Sequence, residues 1–306
     1  RRRGARAGGA GVCVIGAPRG LLPPPPGRSA LSSRAVIAPP GYRGGVALSS
    51  RTAARPPRPT VELEVVAVAH VSPQLVRVTL GGEGFAQFED RPETDKYVKL
   101  KFTTPAPESL PVTRTYTVRR VDHDARTLDI DFVVHGDEGL AGPWAARARV
   151  GDRLSLMGPG GGYSPDPSAD AHVFAGDLSA LPAIAAALEA LESAKPDARG
   201  HVVIEVDAET AIVPLPAPNA VQVEWIVDPA HDVEALAAVL GQLDWPEGTV
   251  QVFAHGERES MKTVRRVLFD ERGLDRAHVS LSGYWARGRT EDRFQAEKRE
   301  PIGKIL

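Results

Sequence analysis

Residues 172–193 read HVFAGDLSALPAIAAALEALES, and the stretch divides at Gly176. Residues 172–175 form a short apolar run of strand length, while residues 180–193 place Leu, Ile and Ala at helical spacing. Gly176-Asp177-Leu178-Ser179 between them reads as a tight turn. A strand feeding a helix through such a turn is the opening unit of a parallel, doubly wound sheet, and the turn is where a dinucleotide phosphate would lie. Without the three glycines of G-x-G-x-x-G the motif is a weak match, and Ser179 could be an ordinary N-cap.

Toward the C-terminus the alternation continues, with strands expected at 201–206, 221–227, 250–255 and 278–282 and helices at 233–243 and 260–272. Toward the N-terminus the pattern changes to short alternating runs at 61–71, 74–80, 97–102, 114–120, 127–135 and 152–157, with one short helical candidate at 142–149. Six close strands with so little helix predict a small antiparallel barrel. The expected fold is therefore a barrel over residues 59–167 followed by an α/β domain over 168–306 that ends in a C-terminal tail, with a cleft able to hold two cofactors.

Residues 1–58 contain eleven arginines, no lysine and no acid, include the run Pro23 to Pro26, and show neither strand nor helix periodicity. They are expected to be disordered, since such a composition cannot bury enough apolar area to offset chain entropy. The segment also resembles an organelle transit peptide or a twin-arginine export signal, without a convincing apolar or amphipathic stretch. Its start without Met reads as a fragment or an over-extended gene start.

The remaining chain holds 26 basic against 39 acidic side chains, about −13, which argues against a nucleic-acid partner. A single cysteine, Cys13, excludes an intramolecular disulfide, a Cys-rich zinc site and a cysteine-ligated iron–sulfur cluster within this chain. The expectation is a cytoplasmic monomer with no membrane span, because no run of eighteen apolar residues occurs.

Three strings carry candidate chemistry. In Arg114-Thr115-Tyr116-Thr117, period 2 points Arg114 and Tyr116 one way and the two threonines the other. An Arg fork suits a phosphate, an aromatic ring can cover a flavin or ribityl chain, and a Thr hydroxyl can reach a ring nitrogen. The same string would also fit a plain surface strand. The second string runs from Asp131 through His135 to Gly139-Leu140-Ala141-Gly142-Pro143-Trp144-Ala145. There a strand meets a glycine-rich turn that opens a short helix and offers free N–H groups to an anion such as pyrophosphate. A His at a strand end is more often a surface residue than a ligand. The third string is the turn at Asp177.

In this order and spacing the strings resemble the siderophore-interacting protein family of FAD-containing ferric-siderophore reductases, related to ferredoxin-reductase-type flavoproteins. The resemblance spans roughly residues 60 to 298 and is most specific from Phe253-Ala254-His255-Gly256-Glu257 to Ser282-Gly283-Tyr284-Trp285-Ala286-Arg287-Gly288. It implies that Arg114, Tyr116, Thr117, His135, Gly142, Trp144 and Ala145 line FAD. It also implies that Asp177, Ser179 and Pro182 lie at the nicotinamide dinucleotide, with Glu257 near the nicotinamide. Lys99 and Arg287 match family positions implicated in siderophore contact. Where the family commonly has Gly-Pro-Arg-Gly this chain has Gly158-Pro159-Gly160-Gly161, and Lys101 is expected to replace part of the missing charge. Both lysines could instead merely solvate an exposed strand.

The activity implied is transfer of electrons from NADH or NADPH through FAD to a ferric siderophore. Nicotinamide delivers a hydride whereas iron(III) accepts one electron, so an intermediary is needed, and reduction releases the metal because hard anionic oxygens hold iron(II) less strongly. Glu205, Asp207 and Glu209 lean the donor toward NADH. Two other functions stay open: a general NAD(P)H:flavin or ferredoxin-type electron transferase, and a siderophore carrier without a redox role.

Overall fold

Alternation of apolar and polar residues closes the first half of the chain into a barrel. The computed structural model describes residues 59–103, 111–135 and 139–306, so the expectation for residues 1–58 lies outside it. Strands β1 (Thr60–Ser72), β2 (Leu75–Gly81), β3 (Tyr97–Phe102), β4 (Val112–Asp122), β5 (Thr127–Val133) and β6 (Arg153–Gly160) pair antiparallel in the ring order β1-β2-β5-β4-β3-β6. Every second residue points inward: Leu63, Val78, Leu80, Val98, Leu100, Leu128, Ile130, Phe132 and Leu156 are essentially fully buried. Each such aliphatic or aromatic side chain contributes about 1.5–3 kcal/mol relative to an exposed position. Helix α1 (Ala141–Arg147) adds Ala141 and Ala145 to this core.

The second half is a five-stranded parallel sheet in the order β11-β10-β7-β8-β9, built from β7 (Ala171–Asp177), β8 (Arg199–Val206), β9 (Ala220–Val227), β10 (Val250–Glu257) and β11 (Val279–Trp285). Helix α2 (Leu181–Ala194) covers one face with Ile184 and Leu188 against Phe174, Val202 and Phe253. Helices α3 (Ala235–Gln242) and α4 (Arg258–Arg265) cover the other with Leu236, Leu240, Met261 and Val264 against Val173, Val203 and Val252. The sheet is thus doubly wound, as the strand–turn–helix reading of residues 172–193 requires.

The β8–β9 crossover, where no helix was expected, contains only a short 3-10 turn at Glu209–Ala211, because Pro214, Pro216 and Pro218 deny that stretch helical hydrogen bonds. Its Val213, Leu215 and Ala217 still cover the sheet. Helix α4 passes into a π-helical stretch at Arg266–Glu271. The C-terminal tail contains a further helix, α5 (Glu291–Glu297), capped by the Thr290 hydroxyl.

The two halves meet where α2 lies beside β4. Arg119 of β4 donates to both carboxylate oxygens of Glu189 at 2.5 and 3.0 Å, and Arg120 donates to the same group at 3.0 Å. The arginines hold the Glu189 carboxyl below the usual range.

Candidate functional site

Strand order reverses between β7 and β10, so the turns leaving these neighbours head for opposite faces and leave a crevice at their C-terminal ends. Asp177 ends β7 there. One of its carboxylate oxygens accepts from the Ser179 amide at 2.8 Å and the Ser179 hydroxyl at 2.5 Å. The other accepts from the Glu257 amide at 2.9 Å and the Trp285 indole at 2.8 Å. Burial pushes the Asp177 carboxyl up, and these hydrogen bonds pull it part of the way back. The turn needs Gly176, since a Cβ there would sit 2.3 Å from the His255 carbonyl oxygen.

Two expectations for this edge change. Ser179 is not the helix cap, because Ala180 holds that position and the Ser179 hydroxyl is spent on Asp177. Pro182 is buried in the first turn of α2, so it starts the helix and is not open to a ligand. Glu257 does end β10 at the sheet edge, but its carboxylate caps α4 through the amides of Glu259 and Ser260 and accepts from the Arg287 amide at 3.0 Å. It thereby ties α4 and the segment after β11 to the crevice.

On the barrel side the register confirms the alternation. Arg114 and Tyr116 pair with Leu100 and Val98 on the inward face of β3–β4, while Thr113, Thr115 and Thr117 pair with Lys101, Lys99 and Tyr97 on the outward face. The Tyr116 ring packs on Phe132 at 4.5 Å, and Phe132 packs on Trp144 at 5.7 Å, giving an aromatic wall. Arg114 donates to the Thr113 carbonyl at 2.8 Å and reaches Asp292 of α5 at 3.5 Å. At Gly142 a Cβ would lie 3.1 Å from the Val133 carbonyl oxygen, and at Gly139, with φ 81°, the space is open. A half-buried guanidinium, an aromatic wall and a backbone free of side chains at two glycines suit a flavin dinucleotide. His135 is exposed at the end of β5. Ala145, by contrast, is fully buried in the barrel core, so its side chain packs and does not line a cofactor.

Thr117 faces the other half. Its hydroxyl is a hydrogen-bonding neighbour of the Tyr284 phenol, whose proton affinity is raised by burial and by nearby Asp95. Tyr284 also meets the His255 ring edge-on at 4.8 Å. Burial drives His255 down to about 3, leaving a neutral imidazole bonded to the Ser280 hydroxyl at 2.9 Å.

Lys99 lines a pocket with Thr113, Thr115 and, from α5 and the residues after it, Glu291, Asp292, Gln295, Lys298 and Arg299. Burial first, and then the charge of Lys99, lower the proton affinity of Lys298. Two of the expected substrate residues lie apart from this pocket. Arg287 is not among the lining residues; its guanidinium lies over the Trp285 ring at 5.4 Å, and its charge acts on Glu205 at the sheet edge. Lys101 does not stand in for a charge at Gly160. It sits opposite Ser155, roughly 13 Å along the strand, with its ammonium donating to Thr60 at 2.7 Å. Gly160 itself packs under Tyr97, where a Cβ would come within 2.6 Å of the ring, so a side chain at that position would require the Tyr97 ring to move. Lys298 escaped the sequence reading. The signal that could have found it is the Thr290-Glu291-Asp292 helix start, which puts residues 291, 295 and 298 on one face.

Comparison with known proteins bears on this geometry. Residues 64–109 and 101–163 match the siderophore-interacting FAD-binding domain, and residues 169–288 match the siderophore-interacting protein model. The chain belongs to the siderophore-interacting protein family. A ferric vibriobactin reductase of Vibrio cholerae is 37% identical over 77% of this chain and 93% of its own length. An NADPH-dependent ferric-chelate reductase of Escherichia coli is 28% identical over 73% and 92%. The crystal structure of a siderophore utilization protein from T. fusca superposes with a TM-score of 0.69 at 37% identity, covering 76% of this chain and 95% of that one. Like these family members the chain is an oxidoreductase with FAD as its cofactor, and its barrel is the FAD-binding domain. Among the described residues no helix is long and apolar enough to cross a membrane, and no group of His, Cys, Asp or Glu is arranged to hold a metal ion.

Proposed function

We propose that the chain reduces ferric siderophores, taking electrons from a nicotinamide dinucleotide and delivering them through FAD to iron(III), so that iron(II) leaves the chelate. The observation that carries the reading is the pocket between the barrel and α5. There Lys298 lies close enough to Lys99 for the second charge to lower the proton affinity of the first. A partly buried ammonium beside a second one forms a site that an anionic ligand relieves, and it stands out on a chain that is otherwise strongly acidic. The acidic pair Glu291 and Asp292 on the same wall narrows the fit to ligands that place anionic oxygens near the lysines.

Bound FAD converts the two-electron hydride of the donor into single electrons for iron. Arg114 would hold its phosphate or ribityl chain, Tyr116 and Trp144 would wall the ring system, and the Thr117 hydroxyl, next to Tyr284, would meet the ring at the interface of the two halves. The α1 turn with Gly142 would let the backbone approach the pyrophosphate. On this reading Arg287, stacked on Trp285 at the sheet edge, serves the donor dinucleotide, and Lys99 serves the acceptor.

Stopped-flow measurement of the two half-reactions tests the scheme. Lys99→Ala should slow reoxidation of the reduced enzyme by an anionic ferric siderophore and leave reduction by the nicotinamide unchanged, with the loss shrinking as salt is added. Rapid reoxidation by small acceptors together with indifference to Lys99 would instead identify a general flavin-type electron transferase.

A further inference from the structure

The donor's identity is written on the half of the sheet edge that lies farthest from the barrel contact at Tyr284. Thr117 meets Tyr284 at the end of β11, so a nicotinamide passing hydride toward a flavin at Thr117 belongs over β10 and β11. Asp177 and Ser179 occupy the turn at the middle strand, and the five strands span roughly 19 Å at the usual strand spacing. A dinucleotide laid from β11 across that turn brings its adenosine end over β8 and β9.

Two carboxylates end those strands. Glu205, half-buried, sits in register beside Asp177. Asp228 follows directly on β9, with its amide donating to the Val206 carbonyl at 2.8 Å. Its own carboxylate accepts from the amides of Ala230 and Asp232, which fixes its direction. The charges acting on Glu205 from the packed elements are Asp177 of β7, Asp228 after β9, Glu257 of β10 and, as the one cation among them, Arg287 after β11. Asp207 and Glu209 stand exposed on the turn beyond β8.

We propose that Glu205 and Asp228 select the donor, accepting the free 2′-hydroxyl of the adenosine ribose in NADH and repelling the 2′-phosphate of NADPH. This rests on the reading of a nicotinamide donor given above and concerns this chain's own residues, distinct from the relative named as NADPH-dependent. An acid at the end of a strand of this sheet type suits a ribose hydroxyl, whereas a 2′-phosphate needs an Arg in its place. A phosphate carrying about −1.5 to −2 charges at neutral pH would meet the Glu205 and Asp228 carboxylates, with Arg287 as the cation acting on Glu205. Burial and Asp177 push Glu205 up to about 7. It is therefore neutral in mild acid and charged in mild alkali, so rejection of the 2′-phosphate strengthens as pH rises through neutrality. Arg287 favours both dinucleotides alike through their shared pyrophosphate.

The test is calorimetric titration of the oxidised, FAD-loaded protein with NAD⁺ and with NADP⁺, which reads binding without turnover. The wild type should bind NAD⁺ at least about tenfold more tightly, and Glu205→Gln with Asp228→Asn should remove most of that ratio. Asp228→Arg should invert it, and retained flavin absorbance reports that each variant is folded. Between about pH 6 and pH 8 the ratio should climb in the wild type, and the part due to Glu205 should vanish in Glu205→Gln. Tighter NADP⁺ binding by the wild type, or a ratio that Asp228→Arg leaves unchanged while both ligands still bind, overturns the assignment alone. If neither dinucleotide binds while chemically reduced enzyme still reduces a ferric siderophore, the nicotinamide donor falls and the assignment with it.

Discussion

The pocket at Lys99 and the C-terminal edge of the parallel sheet follow opposite electrostatic rules. In the pocket, Lys99, Lys298 and Arg299 come from a barrel strand and the C-terminal segment, elements far apart in sequence, and burial together with the charge of Lys99 lowers the proton affinity of Lys298 against the pull of Glu291. At the sheet edge Asp177, Glu205, Asp228 and Glu257 crowd together, with Arg287 as the cation that faces Glu205, and burial raises two of the carboxyls. Each edge holds like charges at a cost, and each cost fits a different ligand: an anionic iron complex at one and a dinucleotide without a 2′-phosphate at the other. Specificity in this fold is thus set by what each edge repels as much as by what it attracts.

Breaking the cofactor link between the two regions should have the largest effect. Arg114→Ala should weaken FAD binding by about 1.5–3 kcal/mol, as for loss of a charge-assisted hydrogen bond, and flavin retention during dialysis measures it. Unchanged retention would remove Arg114 from the cofactor site.

Next, the acidic edge can be broken at its anchor. Asp177→Asn turns one acceptor oxygen into a donor facing the amide or indole N–H groups that the carboxylate now satisfies. The expected cost is about 1–3 kcal/mol for the unsatisfied polar group, read as a lower melting temperature together with altered Trp285 fluorescence.

The basic edge should respond in rate. Lys298→Ala alone should slow reoxidation by an anionic ferric siderophore roughly tenfold at low ionic strength, and less at high salt. A loss that salt does not change would mean that α5 supports the fold and not the substrate.

The smallest effect sharpens the comparison through pH. The Glu205 carboxyl is raised in the folded state, so the unfolded chain gives up its proton first as pH rises from the usual carboxylate range to about 7. The folded protein therefore loses stability across that window and levels off above it. With solvent screening at a half-buried site the change is on the order of 1 kcal/mol. Glu205→Gln should flatten this part of the curve in urea unfolding at stepped pH.

Much of this was legible before any coordinates. Both domain halves follow from period 2 and period 3.6, and the outward and inward faces of β3 and β4 follow from alternation alone, since neighbouring side chains in a strand must point apart. Helix α5 was not read because seven residues give too short a period to stand out from a polar tail. The turn at Asp177 was found, but the four hydrogen bonds that make it an anchor were not, as three of their donors come from Ser179 and Glu257 and the fourth from Trp285, 108 positions away.

Sequence by itself determined the two-domain plan and the residue types at each strand end, because local sterics and burial act over a few neighbours. The tertiary structure alone decided which charges share a site. It brought Lys298 to Lys99, sent Arg287 to the acidic edge, bound the Glu257 carboxylate into a helix cap and filled the space at Gly160 with the Tyr97 ring. Electrostatic coupling and steric exclusion depend on distances of a few ångströms between segments whose separation along the chain says nothing about them.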